Sequence, residues 1–273
     1  MSKILIVNGD DFGQSASVNG GIIEAHKRGL LNSASLIVTG SAFQEAVSLA
    51  KEHSRLDVGL HLTLTETTPA ADSALIPNLA PKGNLPQSYT SLFLGILSRK
   101  ISREEIRAEF TAQIEKFLQA GFVPSHIDSH QHIHLFPVIL NIFIGLAQTY
   151  GFRFVRIPNE IGLLQLTSPF LAVRGVSLKA LSVYARKRAE EVGVGRIDGF
   201  CGLSCSGRLN ERNLEKYITR LNEGITELMT HPGLLDEPEI NYFRRQETLA
   251  LVSDRIKELI RKYEIELASF RDL

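Results

Sequence analysis

Two adjacent carboxylates, Asp10 and Asp11, directly follow an apolar run near the start of the chain, residues 4–8. The run predicts a buried strand, and where a strand ends the backbone turns so that neighbouring side chains can face the same side. Beside one metal ion, such a pair can divide two tasks: one carboxylate binds the metal, and the other stays free as a general base. The plainer interpretation is a solvated turn in which an aspartate caps the helix that starts near Ser15. The buried strand before the pair favours the functional interpretation.

A dense run of titratable groups extends from position 126 to 134, where every second residue is His or Asp. This period of two is typical of a strand. Fully extended, the run would span roughly 26 Å, so one metal ion cannot contact all of its members. One or two of the histidines could be metal ligands, and the others would bind substrate, orient ligands or pack. The run consists of His126, Asp128, His130, His132 and His134.

Other polar side chains lie where further predicted strands end. His61 closes the stretch VGLH, and His231 follows LMT. In a (β/α) barrel the carboxyl ends of the strands meet at one mouth, where active sites of this architecture lie. Asp11, His61 and one of His126 or His130 would then form a three-ligand metal site with open positions for water and substrate. His231 is a candidate acid on the opposite side of the site, unless it only stabilises the loop after its strand.

The elements that position these residues are predicted by alternating β-branched runs and helical patterns, which indicate repeated βα units and a parallel sheet. Seven or eight such units in a chain of this length favour an α/β fold, namely a single-domain (β/α) barrel over residues 1–273. The predicted strands cover residues 4–8, 34–39, 57–62, 123–128, 154–157, 197–201, 227–230 and 265–269.

Several helix starts carry local signals. Ser102 and Glu105 have the spacing of a capping box, Pro137 suits a first helical position, and Asn210 can cap the helix that follows it.

Two segments do not fit the repeating unit. Residues 66–89 are rich in proline and predict a long irregular loop, either a lid or binding loop or a disordered insert. Residues 163–195 predict a basic helical insertion, for which packing on the barrel with a solvated basic side is the commoner outcome.

Composition excludes several classes of protein. The 273 residues include 30 Lys and Arg against 30 Asp and Glu, so no net charge attracts nucleic acid, and we expect no nucleic-acid partner. Apolar runs stay well short of the roughly 20 residues that span a bilayer. The N-terminal residues lack the pattern of a secretory signal, and two cysteines, Cys201 and Cys205, suit a reducing compartment, so we expect a cytoplasmic protein.

Six ordered motifs resemble the YdjC-like carbohydrate deacetylase family, which includes chitooligosaccharide deacetylases. They are VNGDDFG, VGLHLTL, PSHIDSHQHIHLFP, RIP, MTHPG and SFRDL, and together they cover essentially the whole chain. Within the family, the basic insertion and the stretch FCGLSCSGRL most resemble the branch associated with hopanoid biosynthesis.

The resemblance implies a barrel of the glycoside hydrolase/deacetylase type that uses a divalent metal ion to remove acetyl from an N-acetylated amino sugar. The substrate would be a chitooligosaccharide or a lipid-linked N-acetylglucosamine. Carried over motif by motif, Asp11, His61 and His126 would be the metal ligands, Asp10 the base and His231 the acid.

The His-x-x-x-His pair of the related polysaccharide deacetylases makes His130 a competitor for the third ligand position. If His126 is the third ligand, we expect His130 to bind substrate together with Arg156. We also expect the loop 66–89 to close over the sugar. Two imidazoles suit Zn, Co or Ni, whereas one carboxylate with waters also admits Mg or Mn; the resemblance favours Mg.

The sequence is also compatible with alternative functions. The His-x-His steps at 130, 132 and 134 are also typical of other metal-dependent amidohydrolases, and the aspartate pair suggests glycosidase carboxylates, although adjacent residues suit that role poorly. A non-catalytic sugar-binding protein on the same fold is a further alternative. A lipid-linked substrate would make the basic insertion a surface for peripheral contact with the inner face of a membrane. A homodimer is compatible with the sequence and not required by it.

Overall fold

The structure is a computed structural model that describes residues 2–160 and 169–273, with side chains described outside 169–179. This part of the chain forms eight strands, nine α-helices and four short 3-10 helices. The strands are β1 (Lys3–Phe12), β2 (Ser33–Leu36), β3 (Asp57–Leu62), β4 (His126–Ser129), β5 (Phe154–Val155), β6 (Gly199–Cys201), β7 (Gly224–Thr230) and β8 (Ile265–Leu267). The α-helices are α1 (Ala16–Arg28), α2 (Phe43–Glu52), α3 (Tyr89–Leu97), α4 (Arg103–Gln119), α5 (Pro137–Thr149), α6 (Pro169–Val192), α7 (Glu211–Thr219), α8 (Arg244–Val252) and α9 (Asp254–Lys262). The 3-10 helices are His130–Leu135, Leu203–Cys205, Pro238–Ile240 and Phe270–Asp272.

The strands are parallel and follow the order β5-β4-β3-β2-β1-β7-β6, with β8 paired to the first residues of β1. The two ends of this path approach each other through isolated parallel bridges, Phe154 to Gly195 and Glu160 to Phe200. The sheet is therefore rolled into a nearly closed (β/α) barrel, and the predicted fold class is confirmed.

Each of the eight predicted strands is present, although the bounds differ. The largest difference is in β1, which continues through the aspartate pair to Phe12. An irregularity in the pairing with β2 between Gly9 and Phe12 turns this end of the strand. Helix α1 is capped by Ser15, whose side chain accepts a hydrogen bond from the backbone of Val18, so the interpretation of an aspartate as the helix cap is wrong.

The run from 126 to 134 is not one extended strand. Strand β4 ends at Ser129 and a 3-10 helix follows at once. Gln131 and His132 have left-handed backbones, with φ of 57° and 53°, and these reverse the path of the chain. The expected period of two therefore holds only from His126 to Ser129.

The predicted helix starts agree with the structure. Ser102 and Glu105 form a reciprocal capping box on α4, Pro137 occupies the first turn of α5, and Asn210 caps α7. Reciprocal caps satisfy backbone N–H groups that a helix start leaves without partners.

The loop 66–89 is ordered in the structure. Ile76, Leu79 and Leu85 are buried in the main hydrophobic core, and Ser88 ends the segment as the cap of α3. Burial of these apolar side chains attaches the loop to the barrel.

The predicted insertion 163–195 contains helix α6, while its first residues, 163–168, lie outside the described residues. Ala185 and Ala189 are buried, and Leu181 packs against the core. Among the described helices, none combines the length and the apolar character that a membrane crossing requires.

Candidate active site

Asp11 occupies the irregular end of β1 with a left-handed backbone, φ 68°. Its buried carboxylate has two separate environments. Oδ2 accepts a hydrogen bond from Arg244 Nη2 at 2.9 Å, and Oδ1 lies 3.0 Å from His130 Nδ1. Burial raises the pKa of Asp11, but the Arg244 guanidinium and His130 outweigh it and hold the pKa well below its usual range. Asp11 is therefore an ionised carboxylate with Oδ1 facing the histidines.

His61 lies on β3 directly opposite Asp128 of β4. Its Nδ1 donates to Oδ1 of Asp128 at 2.6 Å, which leaves Nε2 facing Asp11 at 3.6 Å from Oδ1. Burial lowers the pKa of His61, yet Asp128, with smaller contributions from the other carboxylates, raises it overall. Asp128 thus fixes the orientation and the tautomer of the ring.

His130 is the first residue of the 3-10 helix that follows β4. Its Nδ1 faces Asp11, and its Nε2 lies 3.3 Å from Oε2 of Glu66. Burial lowers the pKa of His130 because it disfavours the charged ring. Asp11 and, to a smaller extent, Glu66 outweigh this effect and raise the pKa to about 10.

Asp11, His61 and His130 converge. Each offers one ligand atom, and these atoms lie within 4.8 Å of one another. One carboxylate and two imidazoles are a donor set that catalytic metal sites use.

Backbone strain collects around this cluster. Four residues here have backbone φ between 53° and 68°, a region that residues other than glycine adopt infrequently: Asp11, Glu66, Gln131 and His132. Such conformations persist where the surrounding structure enforces them, and they are concentrated at functional sites.

Asp10 points to a different partner. Arg156 Nη1 donates to its Oδ2 at 2.6 Å and Nη2 donates to its Oδ1 at 2.7 Å, while Asn8 Nδ2 also donates to Oδ1. One lone-pair direction on Oδ2 is left for a water molecule. An oxygen of Asp10 also lies within 4.8 Å of ligand atoms of His61 and Asp128. Asp10 is therefore beside the cluster and oriented by Arg156.

Arg156 does not have the expected substrate-binding position. It is buried, and besides Asp10 it contacts Asp128 through Nη1 and Glu227 through Nε and Nη2. All three nitrogens of the guanidinium therefore face buried carboxylates, and the residue is only 2% exposed. The expectation is corrected: Arg156 holds carboxylates together inside the barrel.

The expected ligand His126 also lies elsewhere. It precedes Asp128 by two residues on β4, one pleat deeper in the barrel, a step of about 6.6 Å. Its ring stacks on Phe270 with centroids 4.0 Å apart, and its Nε2 lies 3.3 Å from Ser35 Oγ. Gly59 makes room for the ring, since a Cβ there would collide with it. The structure therefore replaces His126 by His130 in the cluster.

His231 follows β7 at the same end of the barrel, close enough to Asp11 and Asp10 to interact with their charges. Its backbone N–H donates to Glu247 at 2.6 Å, and its ring meets Tyr242 edge-on. Nδ1 has no partner among the described residues. Burial is the main cause that lowers the pKa of His231 to about 4, so the ring is neutral at neutral pH.

The remaining members of the histidine run have packing roles. His134 shares hydrogen bonds with Ser129 and the carbonyl of Arg156 and stacks on Phe143. Burial lowers the pKa of His134 to about 4. His132 packs edge-on against Phe200.

The surroundings fit a divalent cation. Four buried carboxylates and two buried guanidinium groups form one linked network, in which a cation bound at Oδ1 of Asp11 would replace the proton that His130 carries there. A second group, Asp10 with His61 and Asp128, fits less well because Arg156 and Ser35 already occupy its oxygens. The linked network of charged residues comprises Asp10, Asp11, Asp128 and Glu227 with Arg156 and Arg244.

Three residues of this site were not predicted from the sequence. Glu66 and Arg244 come from a loop and from a helix start, and nothing in their neighbourhood in the sequence marks them. Glu227 did carry a signal: it is a charged residue inside the apolar strand β7, and a buried charge needs a partner.

Comparison with known proteins agrees with the motifs. Residues 4–262 match the model of the YdjC-like protein family. Relatives of Brevibacillus brevis and Listeria monocytogenes, both named carbohydrate deacetylase, are 32% and 34% identical over 98% of this chain and 99% of their own length. A solved structure from Enterococcus faecalis V583, of a protein named for cellobiose-phosphate cleavage, is similar at a TM-score of 0.79 and 28% identity, covering 100% of this chain and 99% of that one. The finer resemblance to the hopanoid-associated branch stays a prediction. The chain therefore belongs to the YdjC-like family, and the resemblance carried by its motifs is confirmed.

Proposed function

We propose that this protein is a metal-dependent carbohydrate deacetylase that removes acetyl from an N-acetylated amino sugar. The observation that carries the proposal is the convergence of Asp11, His61 and His130, brought together from β1, β3 and the turn after β4. The names of the relatives support the substrate class.

Asp11, His61 and His130 would hold the metal ion. A divalent ion bound there would polarise the acetyl carbonyl and lower the pKa of a water molecule. Two imidazoles suit Zn, Co or Ni, and Mn or Mg are compatible with the carboxylate. We propose Mg first, from the family resemblance.

Asp10 is the proposed base. Arg156 and Asn8 hold its carboxylate in a fixed orientation, and Oδ2 keeps one lone-pair direction free to take a proton from water. Because the groups that orient Asp10 are themselves buried, little reorganisation is needed when that proton moves.

His231 is the proposed proton donor to the amine that leaves. An amide nitrogen is a poor leaving group until it is protonated, so a positioned donor contributes directly to the rate. The pKa of His231 is low, so the neutral ring must gain a proton before it can donate one. The proton that Asp10 takes from water would pass to His231 and from there to the leaving nitrogen, which regenerates Asp10 and uses one proton per turnover. Glu247 holds the backbone of His231 in place for this transfer.

Cleavage of a glycosidic bond is the competing hydrolysis, because the similar Enterococcus faecalis protein is named for cleavage of a cellobiose phosphate. Glycosidase carboxylates face each other across the bond, about 5 to 9.5 Å apart. Here Asp10 is bound by Arg156, and Asp11 by Arg244 and His130. Neither is presented as an opposed acid and base pair, so the geometry favours deacetylation.

Acetate release tests the proposal. The protein, stripped of metal and reloaded with Mg, Mn, Zn, Co or Ni, is incubated with chitooligosaccharides and with lipid-linked N-acetylglucosamine. We expect metal-dependent acetate release with at least one substrate and no new reducing ends. Preference for the lipid-linked substrate would support the hopanoid-associated branch. Failure to release acetate from any of these substrates with any metal would refute the proposed function.

A further inference from the structure

We propose that Glu66, at the start of the loop 66–89, is a positioning residue of the metal site. It would accept the Nε2–H of His130 and thereby present Nδ1 of that ring to the metal. The inference rests on the proposed function, because it takes Asp11, His61 and His130 as the ligands.

The two candidate ligand histidines are held in the same way. His61 donates from Nδ1 to Asp128, and His130 lies with Nε2 3.3 Å from Oε2 of Glu66. In each ring the other nitrogen faces Oδ1 of Asp11. A carboxylate on the far nitrogen of a ligand histidine fixes its tautomer and makes the near nitrogen a better donor. Glu66 thus repeats on one histidine what Asp128 does on the other.

Glu66 is itself held against the turn that carries His130. Its Oε1 accepts a hydrogen bond from Gln131 Nε2 at 2.8 Å, and Thr65 Oγ1 donates to Gln131 Oε1 at 3.3 Å. Glu66 and Gln131 both have left-handed backbones. The backbone N–H of Glu66 donates to the carbonyl of Pro86, which closes the two ends of the loop on each other.

Helix α4 fixes the rest of the loop. Glu105, Glu109 and Gln113 are spaced four residues apart, so they lie on one face of the helix. Glu109 accepts hydrogen bonds from the backbone of residues 70 and 71, and Glu105 from that of residues 78 and 79. Gln113 exchanges two hydrogen bonds with the backbone of Thr63. These three side chains are buried, so the position of Glu66 follows from the fold.

Asp128 and Glu66, the carboxylates that hold His61 and His130, differ in burial, so Glu66 is the one whose role can be tested by substitution. Asp128 is fully buried and also contacts Arg156, so its replacement would disturb the core. The Glu66 side chain is 42% exposed, so its replacement leaves no buried charge without a partner.

The test compares Glu66→Ala and Glu66→Gln with a matched control, Asp72→Asn. Asp72 is an exposed carboxylate of the same loop, and its side chain accepts a local hydrogen bond from the backbone of Ala74, which asparagine can keep. Calorimetric titration with Zn²⁺ and Mn²⁺ should show about tenfold weaker binding for Glu66→Ala. Glu66→Gln should lose less, because an amide oxygen still accepts the Nε2–H, and Asp72→Asn should bind like the wild type.

A second readout separates positioning from simple loss of negative charge. In ¹⁵N NMR spectra of the Zn²⁺-loaded protein, the Nε2–H of His130 should be visible and slow to exchange in the wild type and in Glu66→Gln. It should exchange rapidly in Glu66→Ala.

The outcomes are distinguishable. If the wild type binds Zn²⁺ and His130→Asn does not, but Glu66→Ala binds and exchanges like the wild type, the role of Glu66 is overturned and the proposed function stands. Equal losses in Glu66→Ala and Asp72→Asn would also overturn it, since only loop charge would matter. If the wild type binds no divalent ion, both proposals fail.

Discussion

Arg156 and Asp10 form a paired ion bridge in which each terminal nitrogen of the guanidinium meets a different carboxylate oxygen, at 2.6 and 2.7 Å. The same guanidinium also reaches Asp128 and Glu227. Asp128 in turn holds His61. One buried arginine therefore links the proposed base to the carboxylate that orients a proposed metal ligand.

Arg156→Lys tests this link. Lysine keeps the charge but cannot bridge the carboxylates in the fixed geometry of a guanidinium. We expect kcat for acetate release to fall about 100-fold, because the base loses its orientation. Urea unfolding should show a loss of roughly 3 kcal/mol. Arg255→Lys, at an exposed ion pair with Glu215, is the control and should leave both values near those of the wild type. An Arg156→Lys protein with wild-type kcat would contradict the link.

Asp10→Asn separates the base from the metal ligands. The variant should still bind metal, because Asp11, His61 and His130 are unchanged, and acetate release should fall about 100-fold or more. Metal titration and thermal unfolding, run beside the activity assay, show whether the site and the fold are intact. Activity retained in a folded, metal-loaded variant would remove Asp10 from the mechanism.

Metal binding should release protons. In the protein stripped of metal, Asp11 is the main group that raises the pKa of His130, to about 10, against the opposing effect of burial. The ring is therefore protonated at neutral pH, and a metal ion must displace that proton. We expect apparent affinity to rise with pH, roughly tenfold per unit for one proton, up to the pKa of the ring. Calorimetry in buffers of different ionisation enthalpy at pH 7.5 counts the protons, and a count of zero would contradict a role for His130 as ligand.

Glu227 should make stability depend on pH. Burial is the main cause that raises the pKa of Glu227 to about 7, against the opposing effect of Arg156. The folded state then binds this proton more tightly than the unfolded chain, whose carboxyl has a pKa near 4.5. Its contribution to the free energy of unfolding therefore falls between about pH 4.5 and 7 and levels off above that.

The comparison of Glu227→Gln with the wild type isolates this contribution. Glutamine cannot ionise, so the variant should gain on the order of 1 to 3 kcal/mol relative to the wild type between pH 5 and pH 8. Glu266→Gln, at an exposed position on β8, should show no such change. Urea unfolding at the two pH values measures the difference, and parallel curves for Glu227→Gln and the wild type would mean that Glu227 stays ionised in the folded state.

Much of the fold was predictable because it depends on local patterns. β-branched runs between helical stripes marked each strand, and the capping signals at Ser102, Pro137 and Asn210 marked helix starts. Asp11 and His61 were placed together because parallel strands end at one mouth.

The third member of the cluster depended on a feature that the pattern did not show. The alternation of His and Asp extends through position 134, but the chain turns after Ser129, where Gln131 and His132 adopt left-handed backbones. That turn brings His130 to Asp11 and leaves His126 inside the barrel. This turn depends on packing between residues far apart in the sequence, and so do the contacts of Arg244 with Asp11 and of Glu66 with His130.

Anomalous diffraction from crystals soaked in Mn²⁺ or Zn²⁺ would show whether Asp11, His61 and His130 share one cation. We predict a single strong peak bonded to a carboxylate oxygen of Asp11 and to one ring nitrogen each of His61 and His130. A peak bonded to His126 in place of His130, or no peak beside Asp11 at saturating metal, would rule out this shared site.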